Sequence, residues 1–369
     1  MRVVILHPPL YPVNHAFFNL LGQKVDLTVY SFGKKPGLHK WQIESKGQNY
    51  NLKIIDGYTD LKKYAVSYKA QLKLDWIKDI LKDRPDIVIS VAFWMPSLYA
   101  SIMKKFLGYK FLIITDAIFE TEKNISISRK IIRKIICYNV DAMISASNLT
   151  TRYLHSLCNY TTVYQSLQTI DINNWNKKLN NLPEKYFLRN ELNLPKEKHI
   201  LLGVGGFTKK KNWQAVFRQM NHLEKYHFVL IGSGEEEKNY KVYINDNNLE
   251  DKITILPRKE GVELIKYFKV SDIFLFPSLC DQFGYVVLEA LVSSLPVICS
   301  QNSGASSLII NNQNGFIIDP NKDFFKEITL TINNLKQMQM SASQSMKNMS
   351  LENKTLEFEK IFKSILELK

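Results

Sequence analysis

Ile273-Phe274-Leu275-Phe276-Pro277, then Asp281-Gln282-Phe283-Gly284, then Tyr285-Val286-Val287-Leu288-Glu289-Ala290-Leu291-Val292-Ser293-Ser294 is the stretch whose reading decides the fold. Its first run is continuously apolar, as a parallel strand covered on both faces must be. Its last part is apolar nearly all round, as a helix buried in a layered domain must be. Between them lies an acidic Phe-Gly loop. In open α/β sheets, loops at the carboxyl ends of parallel strands hold ligands. Glu289 is the one ionisable residue of the helix, and a carboxylate there is costly unless something pairs with it. Asp281 lies eight residues earlier. Strand, loop and helix together describe a site for a polar ligand.

The same alternation runs outward in both directions. Val3–Leu6, Leu27–Tyr30, Ile87–Val91, Phe111–Ile114 and Ala142–Ser145 read as strands in the first half. Ile200–Val204, Phe228–Ile231, Ile253–Leu256, Ile273–Phe276 and Val297–Cys299 do so in the second. Helical patterns such as Leu72–Leu81 and Glu263–Lys269 lie between them, which makes repeated βαβ units. The polar stretch from Ile172 to Lys198, with Pro183 and Pro195, reads as a linker between two α/β domains. The expected domains are therefore 1–175 and 176–354. A terminal helix within 355–369 is expected to pack back on the first.

Composition excludes several classes. Hydrophobic residues at 45% and charged residues at 23% match a soluble globular protein. The four cysteines lack metal-type spacing, which argues against a zinc site or a disulfide framework and favours a reducing, cytoplasmic compartment. MRVVILHPPLYP reads as a strand ended by prolines rather than a signal peptide. The uncharged run Ile87–Met103 is too short to span a bilayer and contains Pro96, so it reads as strand, loop and helix. The net charge is +14, and residues 1–175 carry 23 basic against 13 acidic side chains. Such a half suits an anionic partner. No aromatic–basic motif supports nucleic acid, which is not expected as a partner.

Leu201-Leu202-Gly203-Val204-Gly205-Gly206-Phe207-Thr208-Lys209-Lys210-Lys211-Asn212-Trp213 runs a strand into a glycine turn, three lysines and a helix. Glycine lets a ligand approach the backbone, and lysines with a helix amino terminus favour anions. A phosphate is the natural occupant; a tight turn with a solvated lysine run is the other reading. Gly232, in Ile231-Gly232-Ser233-Gly234, and Pro257-Arg258 end the next two strands. Each is a donor-side candidate or an ordinary strand-ending loop.

These pieces, in this order, resemble the family 4 glycosyltransferases, or glycosyl transferases group 1, of GT-B architecture. The resemblance is carried by Gly205 with Lys211, by Asp281 and Glu289 with seven residues between them, and by Leu295-Pro296-Val297-Ile298, Gly304 and Asn314-Gly315. It implies an α/β fold of two Rossmann-like parallel-sheet domains facing across a cleft. It implies retaining transfer from a nucleotide sugar, UDP- or GDP-linked, with no cofactor and no metal. By resemblance, Lys211 neutralises the donor diphosphate, and Gly205, Gly206, Asn212, Gly232, Pro257 and Arg258 belong to the donor site. The backbone of Phe283, Gly284 and Tyr285 cradles the distal phosphate and sugar. Glu289 accepts from the two ribose hydroxyls, and Asp281 approaches the reacting carbon. The sequence departs from its relatives in three places. Asp281 stands where glutamate is usual, Gly206 where arginine is common, and Ser307 where a glutamate often follows the Gly304 loop.

The first half matches more loosely. Asp116, after Phe111–Ile114, is a catalytic or acceptor-side candidate, or a helix cap. His15 is read in the first strand-to-helix loop as a second such candidate, or a structural histidine. Arg129-Lys130-Ile131-Ile132-Arg133-Lys134-Ile135-Ile136 pairs cations and isoleucines, so a helix there has a basic and an apolar face. It either packs on the core with a solvated side or meets an anionic membrane carrying a lipid-linked acceptor. The function expected is glycosyl transfer to a glycan or lipid-linked acceptor in surface polysaccharide, lipopolysaccharide or glycolipid assembly, in the cytoplasm or peripherally at the inner membrane face. The alternative is a catalytically silent sugar-nucleotide-binding or scaffold protein of the same fold.

Overall fold

The computed structural model describes all residues except 11, 34–47, 56–58, 61–64, 67–74 and 368–369. Part of the expected Leu72–Leu81 helix and the tip of the terminal one lie outside the described residues. Two compact units form, Met1–Gln168 with Leu351–Lys369, and Thr169–Ser350. The boundaries thus fall at 168/169 and 350/351, ahead of the 175/176 and 354/355 read from sequence. The Thr169 hydroxyl, which donates to the carbonyls of Ile170 and Met349, ties both crossing segments into the second unit.

The N-terminal unit contains strands β1 (Arg2–His7), β2 (Asp26–Phe32) and β3 (Asn51–Ile55), then a small antiparallel pair, β4 (Thr59–Asp60) and β5 (Ala65–Val66). β6 (Ile87–Val91), β7 (Lys110–Thr115), β8 (Ala142–Ser145) and β9 (Thr162–Gln165) follow. Seven of them form one parallel sheet in the order β3-β2-β1-β6-β7-β8-β9. Alternate residues of each strand point to opposite faces, so both faces need covering. Val4 and Leu6 pack with Trp76, Phe111 and Tyr153, whereas Val3 and Ile5 pack with Phe17, Phe358 and Phe362. The terminal helix Leu351–Glu367 thus covers one face of the first sheet, with the Phe358 and Phe17 rings 5.0 Å apart.

The C-terminal unit holds β10 (His199–Val204), β11 (Tyr226–Ile231), β12 (Ile253–Leu256), β13 (Ile273–Phe276), β14 (Val297–Ser300) and β15 (Gly315–Ile318). They form a second parallel sheet in the order β12-β11-β10-β13-β14-β15. The strand order reverses between β10 and β13, which makes that junction the topological switch point.

Three expectations need correction. The stretch 172–198 is no linker: it forms helices Ile172–Asn180 and Lys185–Glu191 of the second unit. Asp171 caps the first by accepting from the Asn174 amide, and Trp175 packs edge-on to Phe268 while its indole donates to Ser293. Buried Arg189 donates to Asp272 at 2.8 Å and to the Val270 carbonyl, and Asp272 also accepts from the Ile200 amide. Strands β3, β9 and β15 were not read from the sequence. All three are edge strands; β3 and β9 are only partly covered and lose the continuous apolar run of a central one. Finally, the helix Ile127–Asn139 does not split into a basic and an apolar face. Ile136 and Arg133 turn inward, the latter paired with Glu122, while Ile131, Ile135 and Lys134 point outward.

Ile87–Met103 divides into β6 and the helix Met95–Leu107, with Pro96 in the first turn where its missing N–H costs nothing. Among the described residues, no helix is long and apolar enough to cross a membrane.

Candidate functional site

The loops that leave β10 and β13 meet at the switch point. After β10, Gly205 continues the sheet edge by donating to the Ile231 carbonyl, and the Trp213 indole donates to the Gly206 carbonyl. The lysines then make one short 3-10 turn, Lys209–Lys211, which ends at Asn212 with φ 56°. Asparagine tolerates that left-handed conformation better than most residues. Its side chain fixes the corner by donating to the carbonyls of Pro277 and Pro320. A backbone bond from Leu279 to the Lys210 carbonyl joins this loop to the one after β13. Gly232 closes the neighbouring strand end. A Cβ there would stand 1.9 Å from the Gly205 carbonyl oxygen, so only glycine lets the two turns pack.

Lys211 and Asp281 come from these two loops and form an ion pair at 2.5 Å. The ammonium also lies 4.9 Å from the centre of the Phe276 ring, beneath which the chain turns out of β13. The second oxygen of Asp281 accepts from the Phe283 amide at 3.3 Å. The loop after β14 braces the arrangement from behind. Ser303 donates to the Phe283 carbonyl at 2.7 Å, the Gly304 amide donates to the Asp281 carbonyl, and the Ala305 amide donates to the Phe283 carbonyl. The sequence singled out Gly304 but missed Ser303 and Phe276, whose roles depend on which loop lies across from which.

Gly284 starts the helix Tyr285–Val292 with φ 92°, and a Cβ would lie 2.7 Å from the Phe276 ring. A side chain is therefore excluded by both backbone and space. The Phe283 and Tyr285 rings sit 5.6 Å apart beside this helix start. One turn on, Glu289 has an Oε2 atom sealed from solvent, with no hydrogen-bonding partner among the described residues. Burial pushes its carboxyl up to about 8. Such an atom fits a ligand that brings hydroxyl donors.

Gly205, Gly206, Lys211, Asn212, Gly232, Asp281, Phe283, Gly284, Tyr285 and Glu289 thus lie on loops and a helix start at the carboxyl ends of β10, β11 and β13. Pro257 and Arg258 are more peripheral. They are exposed at the end of edge strand β12, where Arg258 pairs with Glu260 at 2.9 Å.

In the N-terminal unit, Asp116 follows β7 directly. His15 lies inside the helix Pro12–Gly22, not in the loop before it. One ring nitrogen bonds the Tyr50 hydroxyl at 2.8 Å, the other faces the Asn19 amide, and burial lowers its pKa. That placement corrects the expected position of His15 in the first strand-to-helix loop. The sequence instead missed a small cavity of about 90 Å³ at the carboxyl ends of β1, β6, β7 and β8. Its lining includes His7, Asn14, Thr115, Ser145, Ser166 and Lys354. Burial lowers His7 to about 4 and Lys354 to about 8. Lys354 comes from the terminal helix, nearly two hundred residues from the loop carbonyl of Leu167 to which it donates, so no local spacing could reveal it.

Comparison with known proteins accords with this geometry. Residues 184–348 match the family model of glycosyl transferases group 1. An uncharacterized glycosyltransferase of Haemophilus influenzae is 30% identical over 145 residues, 37% of this chain and 40% of that protein. The amylovoran biosynthesis glycosyltransferase AmsK of Erwinia amylovora is 31% identical over 147 residues, 37% of this chain and 35% of the relative. The matched stretches span less than half the length of these relatives. Anabaena Alr3699/HepE, solved in complex with UDP, superposes with a TM-score of 0.78 at 14% identity, covering 99% of this chain and 100% of that one. The chain therefore has the GT-B fold of two Rossmann-like domains, and most of its C-terminal unit matches the model of glycosyl transferases group 1.

Proposed function

We propose that this protein is a retaining, metal-independent glycosyltransferase that moves a sugar from a UDP- or GDP-sugar to a glycan or lipid-linked acceptor, in assembly of a surface polysaccharide, lipopolysaccharide or glycolipid. The observation that carries the reading is the pairing of Lys211 with Asp281 at the switch point, on the loop that leads into the helix bearing the partnerless oxygen of Glu289. A nucleoside diphosphate sugar supplies a partner for each. Its ribose hydroxyls donate to Glu289 and remove the cost of the buried carboxylate. Its diphosphate competes with Asp281 for Lys211 and takes further amide donors from the start of the helix at Tyr285.

The chemistry follows from charge. Negative charge grows on the diphosphate as the glycosidic bond to it breaks. Lys211 and the positive end of the helix Tyr285–Val292 are fixed where that charge develops, so they stabilise it without reorganising. This supports departure of the diphosphate without a divalent ion. Asp281, released from Lys211 by the incoming phosphate and still held by the Phe283 amide, is placed to meet the sugar. The lipid-linked or glycan acceptor rests on the family and on the polysaccharide assignment of the Erwinia relative.

Turnover with EDTA present, followed by proton NMR of the product's anomeric centre, tests the mechanism. The expected result is an unchanged rate and the donor's own configuration. Loss of activity in EDTA, or inversion, contradicts it. Tight donor binding with no turnover of any acceptor would favour the silent binding protein instead.

A further inference from the structure

The first sheet has a switch point of its own. Its strand order reverses between β1 and β6, the kind of place where open α/β sheets hold ligands. The cavity of about 90 Å³ lies there, lined by Ile5 and His7 of β1 and Val91 of β6, and its whole lining belongs to the N-terminal unit. One water needs roughly 10–15 Å³ of such space, so the cavity has room for several waters or a small organic molecule. Phe17, Phe18 and Phe358 supply apolar walls.

Polar groups of this lining are fixed in place with bonding capacity left over. His7 is only 7% exposed. Its Nδ1 meets the Pro8 carbonyl at 2.5 Å, and a carbonyl only accepts, so Nδ1 carries the proton. Burial lowers the ring to about 4, which keeps it neutral. Nε2 is therefore a bare acceptor, with no hydrogen bond among the described residues, and it calls for a hydroxyl donor. The Phe18 ring, edge-on at 5.8 Å, packs against the imidazole. Lys354 supplies the opposite chemistry. Its ammonium donates to the Leu167 carbonyl at 2.8 Å and to Gln168 Oε1 at 3.4 Å, which leaves one N–H over. The carboxamide nitrogen of Gln168 is unengaged among the described residues. The Thr115 hydroxyl accepts from the Ala117 amide at 3.1 Å and keeps its own proton to give. Glu357, the carboxylate that acts on Lys354, is itself held by the Ser166 hydroxyl at 2.9 Å.

We propose that this cavity binds a small hydroxycarboxylate, whose hydroxyl donates to His7 Nε2 and whose carboxylate accepts from Lys354, the Gln168 amide and the Thr115 hydroxyl. One ammonium beside two neutral donors matches a single negative charge. A phosphate dianion would bring more charge than this set neutralises, with the Glu357 carboxylate acting on the same ammonium. The aromatic walls keep water from both polar ends, where hydrogen bonds then gain strength. The inference rests on the first sheet alone and not on the donor site of the second, so either can fail without the other.

Titration calorimetry of the full chain with lactate and glycerate tests it, with propionate, glycerol and inorganic phosphate as comparisons. At least one of the two hydroxy acids should bind about tenfold tighter than propionate, which lacks the hydroxyl, and than glycerol, which lacks the carboxylate. His7→Phe keeps a ring of similar size and should bind the hydroxy acids no better than propionate. Lys354→Met keeps the apolar stem and should lose on the order of tenfold in their affinity. Melting curves show whether each variant is folded, and the near-isosteric Thr115→Val, expected to weaken binding in the same direction, serves if either is not. Three results would overturn the proposal: no binding of lactate or glycerate at millimolar concentration, equal binding of propionate or glycerol, or wild-type affinity in the folded variants. Phosphate binding tighter than either hydroxy acid would also overturn it and assign the Lys354 end to another anion.

Discussion

Glu289 is the residue on which sequence, fold and chemistry converge, and its protonation gives the first prediction. Its carboxyl is raised in the folded protein, so between about pH 4.5 and 8 the native state holds a proton that the unfolded chain has released. Stability of the ligand-free protein should therefore fall as pH rises through that window, by 2.303RT for each pH unit and proton. Glu289→Gln should flatten the slope in denaturant titrations run across it. Gly206 gives a second prediction at this scale. A Cβ there would meet nothing closer than 3.8 Å, so the cation common among relatives is not excluded by space. Gly206→Arg should strengthen binding of UDP or GDP by up to about tenfold, equivalent to ~1.4 kcal/mol, read by calorimetry. Unchanged or weaker binding would show that the phosphates do not pass this turn. Glu289 was legible in the sequence because it is the only ionisable residue of an apolar helix. The burial of Arg133, His7 and Lys354 was not, since each depends on what another element lays over it.

At the scale of elements, central strands announced themselves, whereas the edge strands β3 and β9 did not. Ile273–Phe276 and Phe228–Ile231 are buried on both faces and read as unbroken apolar runs. Asn51–Ile55 and Thr162–Gln165 are only partly covered and carry polar residues that disguise them. The stretch 172–198 misled in the opposite way. Its asparagines, lysines and prolines suggest a linker, yet its structure depends on long-range bonds from Arg189 and Lys185 to buried Asp272. Removing one side of such a buried pair leaves the other charge unpaired. Asp272→Ala, which leaves buried Arg189 and half-buried Lys185 without their carboxylate, should therefore destabilise the C-terminal unit by about 3–5 kcal/mol in urea unfolding. A loss under 1 kcal/mol would return the segment to the status of a tether. The strand–loop–helix run through Asp281 to Glu289 was the opposite case, since every device in it is local: a buried strand, a glycine with positive φ and an apolar helix.

For the whole molecule, two doubly wound sheets could be read from the repeated βαβ pattern, but the chain's return could not be placed to the residue. The terminal helix belongs to the first unit because Phe358 and Phe362 complete a face that β1 and the helix Pro12–Gly22 leave open. The central claim concerns the second sheet: its switch point holds a nucleoside diphosphate sugar, with Lys211 on the phosphates and Glu289 on the ribose. Calorimetric titration of wild type and Glu289→Ala with UDP-, GDP-, ADP- and CMP-sugars tests this most directly. The account predicts that one nucleotide series binds the wild type, with proton release below about pH 8 as the ribose hydroxyls favour the ionised carboxylate. In Glu289→Ala that affinity should fall about 100-fold, the loss expected for two hydrogen bonds to a charged acceptor. Equal affinity in the two proteins, or no binding by any of the four series, would contradict it.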